Sequence, residues 1–155
     1  MAYARRHSVR LASLATIWLL VACGADGGED PSLFNDGDRG PAVLVFYGRT
    51  STVELPAATR VGQAATVRFT SFAGGCVSRD STEADVAGLT AEVRPYRRDP
   101  RLLHPNLLCT DALRIDDNVV ELRFAEAGRG LVRIVGLAQP EDQLFVLERE
   151  LEVTE

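Results

Sequence analysis

The feature that most constrains this chain is an apolar run at its N-terminus, because it decides which residues are left to fold. Three arginines precede residues 11–22, which are apolar except for Ser13 and Thr16. A basic segment followed by a short apolar segment is typical of a secretory signal peptide. A membrane-spanning helix needs about 20 apolar residues, so this run is too short to span a bilayer. The sequence therefore predicts export, with residues 1–22 removed as a signal peptide.

The apolar run ends at the motif Leu20-Val21-Ala22-Cys23. This motif closely resembles the lipobox of bacterial lipoproteins, in which a leucine, a small or branched residue and an alanine or glycine precede a cysteine. The resemblance implies lipid attachment to the Cys23 thiol, cleavage after Ala22 and acylation of the new N-terminus. Several acyl chains make such an attachment effectively permanent, since one chain alone binds a membrane only marginally. The alternative is a hydrophobic anchor that stays uncleaved in the membrane.

The residues around the signal also bear on the route of export and the destination. Ser8 and Val9 stand where twin-arginine signals prefer phenylalanine and leucine, so ordinary Sec export is expected. The resemblance to lipoproteins further implies sorting to the outer membrane, because Gly24 rather than an aspartate follows the lipidated cysteine. The predicted location is the bacterial cell envelope, with the protein held on the periplasmic or surface face.

The charge of the mature chain excludes one class of partner. Residues 1–22 hold three of the 17 basic residues and none of the 22 acidic ones, so the remaining 133 residues carry a net charge of −8. Proteins that bind nucleic acid present a basic face to the phosphates, and adhesion to anionic lipid head groups needs one as well. We therefore expect no nucleic-acid partner, and membrane attachment through the lipid on Cys23 alone.

The cysteine count predicts a disulfide. With Cys23 lipidated, Cys76 and Cys109 remain, and an even remainder in an exported protein indicates a bridge. Closing the loop between these two cysteines would stabilise the fold by about 3–4 kcal/mol in the chain-entropy model. A pair of free thiols is the alternative. No metal site and no cofactor are predicted, because only His104 and scattered carboxylates accompany the cysteines and no Cys-x-x-Cys occurs.

Residues 23–41, which follow the cleavage site, are predicted to form a flexible tether. They are rich in glycine and aspartate and include two prolines, a composition that cannot bury a core. A flexible segment of this length has a reach of roughly 20–25 Å. The stretch Asn35-Asp36-Gly37-Asp38 has no acidic residue at the twelfth position of an EF-hand loop, so a solvated turn is favoured over a calcium site.

Residues 42–155 are predicted to form one all-β domain of about seven to nine strands. Val67 and Phe69 alternate with polar residues, and Val132 and Ile134 do the same, which is the period of a half-buried strand. Polar turns are expected over residues 78–85, and a hairpin turn is expected at Asp116-Asp117-Asn118. Short strands separated by turns are typical of a sandwich or a barrel.

Two stretches favour a sandwich. The succession of strand, proline, connector, glycine and strand over residues 53–72, and Gly128-Arg129-Gly130-Leu131-Val132-Arg133-Ile134, resemble parts of bacterial extracellular Ig-like domains. The resemblance implies an Ig-like β-sandwich. Antibody-type domains pair their disulfide with a core tryptophan, whereas the single tryptophan here is Trp18 in the signal. We therefore expect the disulfide to hold the long connection over residues 97–106 against the domain.

No set of residues predicts catalysis. His104 is the one histidine after the signal, and the sequence contains no Gly-x-Ser-x-Gly motif that would supply a nucleophile. The carboxylate pairs Asp116-Asp117 and Glu141-Asp142 both fall in predicted turns, where aspartate serves backbone hydrogen bonds. The sequence is therefore interpreted as that of a non-enzymatic protein.

The sequence contains one local basic patch, which begins at the end of the strand predicted over residues 89–94. Its members are Arg94, Tyr96, Arg97, Arg98 and Arg101. Four leucines follow closely, namely Leu102, Leu103, Leu107 and Leu108. In one interpretation the leucines pack this loop onto the domain while the arginines are solvated or paired with acids. In the other the loop binds a partner, since arginine and tyrosine are frequent interface anchors.

These observations predict a membrane-anchored lipoprotein that serves as a non-enzymatic binding or structural module of the envelope. Two alternatives remain open. The chain is an accessory subunit of an envelope complex or transporter, or it is a ligand binder or enzyme whose site a single sequence does not reveal.

Overall fold

The computed structural model describes residues 37–155, so the predictions for Cys23, the cleavage after Ala22 and residues 24–36 lie outside it. The described part is all-β, as predicted, with one 3-10 turn at Pro100–Leu102. Within residues 37–155 no helix is both long enough and apolar enough to cross a membrane. The strands are β1 Arg39–Pro41, β2 Val43–Phe46, β3 Arg49–Thr50, β4 Val53–Glu54, β5 Ala58–Arg60, β6 Ala64–Ala73, β7 Ser78–Ala87, β8 Thr90–Arg98, β9 Arg114–Arg123, β10 Gly128–Gln139 and β11 Gln143–Thr154.

The alternation of apolar and polar residues produces the long strands. In β6, Ala65, Val67 and Phe69 are buried while Arg68 between them is exposed. The same alternation continues through β10 and β11, except that Arg149, between the buried Leu147 and Leu151, is exposed. Successive side chains of a strand point to opposite faces, so this pattern fixes which face of each strand is covered. The predicted alternation in these three strands is confirmed.

Strand β10 organises the sheet. Along one edge it pairs antiparallel with β11, from Gly128↔Val153 to Ala138↔Gln143. Along the other edge it pairs in parallel first with β8 and then, from Leu137 onward, with β2. Strand β2 in turn joins β6, which pairs antiparallel with β9 over its whole length. The path β1-β8-β10-β2-β6-β4 therefore curls, with β7 on β8, β3 on β2 and β5 on β11.

The curled sheet encloses one apolar core. Its buried members come from β2, β6, β8, β9, β10 and β11, with Phe124 just beyond β9. They are Leu44, Ala65, Val67, Phe69, Ala91, Val93, Leu122, Phe124, Val132, Ile134, Leu147, Leu151 and Val153. Gly136 lets β2 lie close to β10, since an added Cβ there would stand 2.6 Å from the Ala42 carbonyl oxygen. The absence of a side chain is therefore needed where the sheet changes from β8 to β2.

The predicted hairpin turn at Asp116-Asp117-Asn118 is wrong, because these residues lie inside β9. Ten consecutive residues of β9 pair with β6, including Asp116 with Ser71 and Asn118 with Phe69. The Asn118 side chain is buried and donates a hydrogen bond to the Ser71 hydroxyl at 3.0 Å. The long pairing with β6 thus overrides the local turn preference of Asp and Asn.

Other segments also form strands where none was predicted. The polar residues from Ser78 belong to β7, a mostly exposed strand that pairs with β8. β1 lies N-terminal to Ala42, where the sequence placed the end of the tether. Its residues pair antiparallel with Tyr96, Arg97 and Arg98 of β8.

The predicted disulfide is confirmed. It joins Cys76, between β6 and β7, to Cys109, in the irregular segment between the 3-10 turn and β9, with the Cα atoms 5.4 Å apart. Beside it the Gly75 amide donates a hydrogen bond to the Thr110 carbonyl oxygen at 3.3 Å. The bridge thus fastens the longest connection of the domain to the end of β6, as expected.

Replacing both bridged cysteines, as Cys76→Ser/Cys109→Ser, is expected to lower the free energy of unfolding by about 3–4 kcal/mol, because the unfolded chain regains the freedom of a 33-residue loop. Urea unfolding followed by circular dichroism measures the change. The wild-type protein under reducing conditions serves as the control and should unfold like the double variant. A loss below about 1 kcal/mol would contradict the prediction.

Candidate functional site

The basic patch predicted to be a loop lies mostly on a strand. Arg94, Tyr96, Arg97 and Arg98 belong to β8, and Arg101 belongs to the 3-10 turn that follows it. The strand extends further than the sequence indicated because β1 pairs with its last residues. Alternation along β8 then divides the patch, since Arg94, Tyr96 and Arg98 face one side and Arg97 the other.

Arg98 is held in an ion-pair network that joins β1, β7 and β8. Its guanidinium contacts Asp38 at 2.6 Å and Asp80 at 2.9 Å. Arg39 of β1 contacts the other oxygen of Asp80 at 2.9 Å and stacks over the buried Tyr96 ring at 3.6 Å from its centre. The hydrogen bond from Arg39 is the main cause that lowers the pKa of Asp80, and Arg98 adds to it. This network fastens β1 to the sheet.

Arg94 and Arg101 are likewise neutralised by neighbours. Arg94 pairs with Glu92 on the same strand. Arg101 binds the Asp99 carboxylate through two nitrogens, at 2.8 Å and 2.7 Å, and the Asp99 side chain also caps the 3-10 turn. The hydrogen bonds from Arg101 lower the pKa of Asp99, which is itself buried. Both arginines therefore have carboxylate partners inside the protein.

Arg97 differs from the other arginines of the patch. Among residues 37–155 no carboxylate or carbonyl oxygen accepts a hydrogen bond from its side chain, and its Nε is buried without a partner. Burial lowers the pKa of this guanidinium, against the weaker opposing effect of Asp99 and Asp142. A buried donor without an acceptor costs about 1–3 kcal/mol. The fold thus keeps a cation where it lowers stability.

Arg97 lines a concave site that we call the Arg97 pocket. It has a volume of about 530 Å³ and lies where the ends of β2, β6, β8 and β10 meet the segment held by the disulfide. Val43 of β2 and Phe72 of β6, both buried, form part of its wall, with Phe46 beside Phe72 at 6.0 Å between ring centres. The polar side chains that line the pocket are those of Arg97, Arg101, Thr110, Asp111 and Gln139.

Exposed apolar side chains surround this pocket. Tyr47, Leu107, Leu108 and Leu113 line it, and Leu108 is 96% exposed. Leu102 and Leu103 are also more than half exposed. Leu108 therefore does not pack onto the domain, whereas Arg94, Arg98 and Arg101 pair with acids as the same interpretation expected. Clustered exposed apolar side chains are typical of interaction sites.

Tyr47 is a second unusual residue at this site. Its φ of 47° lies in the left-handed region, which aromatic residues rarely adopt, and its ring is 67% exposed. It packs edge-on against Phe46 at 4.8 Å between ring centres. The positive φ belongs to the two-residue turn Tyr47-Gly48 that joins β2 to β3, and the exposed ring makes Tyr47 part of the candidate site because it lines the pocket.

The sequence prediction found Arg97, Arg101, Leu107 and Leu108 but missed the rest of the pocket. Val43, Phe46, Tyr47, Phe72 and Gln139 come from strands far apart in the sequence. The one local signal was the apolar run that ends at Tyr47, just before Gly48. This run is longer than the four-residue strand β2 and so includes an apolar residue that the strand does not bury. The pairing register of the strands brings the other residues together, and a single sequence does not provide that register.

The remaining candidate groups form no second site. Asp116 pairs with Arg114 at 2.7 Å, and Glu141 and Asp142 lie in the turn between β10 and β11, as predicted. Within residues 37–155 no group of three or more histidine, cysteine, aspartate or glutamate side chains is placed to hold a metal ion.

Comparison with known proteins identifies no relative. No protein-family model matches the chain, and neither a curated protein nor a solved structure matches it. The function is therefore inferred from the chain's own residues.

The variant Arg97→Met is expected to unfold with an unchanged free energy or one raised by about 1 kcal/mol, because it removes a buried donor without an acceptor and keeps a side chain of similar length. Chemical denaturation of both proteins measures this. The control Arg98→Met should instead destabilise the fold, since it leaves Asp38 and Asp80 without that cation. A loss above about 2 kcal/mol for Arg97→Met would contradict the assignment of Arg97 as unpaired.

Proposed function

We propose that this protein is a lipid-anchored, non-enzymatic binding module of the bacterial cell envelope, and that the Arg97 pocket is its binding site. One observation carries the binding role. Arg97 stands unpaired in a concave site surrounded by exposed apolar side chains, while the arginines next to it are neutralised. Pockets with apolar walls and a few placed polar groups are the usual form of a ligand site.

The anchoring part of the proposal comes from the sequence. The basic segment, the apolar run and the motif ending at Cys23 support a lipid anchor, and Gly24 supports the outer membrane as the destination. The Cys76–Cys109 disulfide is compatible with an oxidising compartment outside the cytoplasm. In this proposal the domain stands off the membrane on the tether.

We further propose that the domain is a variant of the Ig-like β-sandwich. Support comes from the core, in which the faces of β6 and β9 meet those of β8, β10 and β11. The parallel pairing of β10 with β8 and β2, and of β11 with β5, departs from the antiparallel sheets of typical Ig-like domains. The shared apolar core supports the resemblance, whereas the connections between the strands differ from those of typical Ig-like domains.

The accessory-subunit alternative is favoured by the exposed leucines, which form a surface suited to another protein. Leu107, Leu108 and Leu113 stand together with Tyr47 at the pocket, so that a protein segment lying on them would also reach Arg97. In this alternative the ligand of the pocket is part of an envelope protein.

The variant Cys23→Ala is expected to leave the membrane fraction or to remain as uncleaved precursor, because it removes the thiol that the resemblance assigns to the lipid. Fractionation of cells labelled with radioactive palmitate measures both outcomes. The matched control Cys76→Ser/Cys109→Ser keeps Cys23 and should stay labelled and membrane-bound. Unchanged labelling and cleavage of Cys23→Ala would contradict the anchor.

Crosslinking in intact cells followed by purification is expected to capture an envelope partner, and the variants Arg97→Gln and Leu108→Asp should each reduce its yield several-fold. Arg98 and Arg101 are unsuitable for this test because they hold the fold together. The matched controls Arg129→Gln and Val61→Asp alter exposed residues away from the pocket, Arg129 near the start of β10 and Val61 in the turn between β5 and β6. Equal loss in the controls, or none in the pocket variants, would contradict a binding role for this site.

A further inference from the structure

We propose that the Arg97 pocket binds a carboxylate carried on an apolar body, with the Arg97 guanidinium pairing with the carboxylate. This inference rests on the proposed binding function and adds the chemical class of the ligand. It combines three features of the site, which are an unpaired cation, a limited net charge and apolar side chains in part of its wall.

The unpaired cation calls for an anionic ligand. Arg97 has a buried Nε without an acceptor, whereas Arg101 beside it gives two nitrogens to Asp99. A guanidinium presents a rigid fork of donors that matches the two oxygens of a carboxylate, and such paired hydrogen bonds are among the strongest in proteins. A carboxylate bound in the pocket would pair with the terminal nitrogens of Arg97, which form no ion pair with a carboxylate of residues 37–155.

The local charge favours a ligand with one negative charge. Arg97 is the single cation in the pocket without a carboxylate partner, and Asp111 also lines the site. Asp142 lies near enough to act on the charge of both Arg97 and Arg101. A phosphate group, with a charge between −1.5 and −2, would meet these carboxylates with only one free cation to offset it. A carboxylate with one charge matches the single free arginine.

The walls determine the rest of the ligand. Val43, Phe46 and Phe72 are apolar, and Tyr47 adds an exposed ring at the same site. The volume of about 530 Å³ falls within the range of small-ligand sites. An aromatic or branched aliphatic body would lie against Phe46 and the exposed Tyr47 ring while its carboxylate reaches Arg97. Both a free organic acid and the C-terminal residue of a peptide present this chemistry.

The site is also held in place before a ligand arrives. Arg97 is fixed on β8 between β1 and β7, and the opposite wall is fastened by the Cys76–Cys109 disulfide. A preformed site loses less conformational entropy when a ligand binds, which supports affinity for a small molecule. The pocket therefore meets the structural requirements of a small-ligand site.

Isothermal titration calorimetry on the full-length protein, extracted in a maltoside detergent, tests the proposal with two pairs of probes. The first pair is 4-phenylbutyrate and 4-phenylbutyramide, and the second is N-acetyl-leucyl-phenylalanine with a free or an amidated C-terminus. In each pair only the carboxylate differs. We expect at least one acid to bind at least tenfold more tightly than its amide, and the pair that binds identifies a free acid or a peptide C-terminus as the source.

Variants then assign the binding to Arg97. Arg97→Gln is expected to weaken binding of the acid at least tenfold, Arg97→Lys to retain part of it, and Arg129→Gln to leave it unchanged. A detergent blank corrects for partitioning of the probe. Should Arg97→Gln fail to fold, the comparison of acid and amide on the wild-type protein still decides the matter.

Two results would overturn the inference. Equal affinity for acid and amide would show that the carboxylate is not recognised. Absence of binding by either acid at millimolar concentration would show that the pocket does not take this class of ligand. Both failures are distinct from failure of the proposed function, because a crosslinked partner that depends on Leu108 would remain after either result.

Discussion

The contact on which the rest of this structure depends is the close approach of β2 to β10 at Gly136. Because glycine has no side chain, the backbone at Ala42 can lie against β10, and the Leu137 amide donates a hydrogen bond to the Ala42 carbonyl oxygen at 2.9 Å. From there β2 continues along β10 and also reaches β6 at Phe72. One short strand thus joins the two parts of the curled sheet, and its end places Val43 and Phe46 in the wall of the pocket.

The charges are organised around the same junction. β1, which leads into β2, is tied to β7 and β8 through Arg39, Asp80 and Arg98, so these arginines serve the fold. The side chain of Arg97, the preceding residue of β8, faces the other way, toward the junction, and forms no ion pair there, although Asp99 and Asp142 act on its charge. The contrast between Arg98 and Arg97 is therefore a consequence of strand alternation, and it separates a structural cation from one available to a ligand.

Local patterns allowed part of this to be predicted. The alternation of β6, β10 and β11 is encoded in neighbouring residues, and the pairing of Cys76 with Cys109 followed from the cysteine count. Asp116 and Asn118 were misread because their turn preference is local, while their pairing with β6 is a tertiary effect. The same limit applies to the site. Arg97 was recognised as part of a basic patch, but its lack of a partner depends on where Asp80 and Asp99 are placed by the fold.

Arg97 has no ion-pair partner within the protein, and we propose that an acidic ligand provides one. A nitrogen–proton NMR spectrum of the arginine side chains tests it directly, with Arg97→Lys identifying the Arg97 Nε–H signal. On addition of saturating 4-phenylbutyrate or N-acetyl-leucyl-phenylalanine, the account predicts that this signal shifts, while that of Arg129 stays in place. An Arg97 signal that neither ligand changes would contradict it.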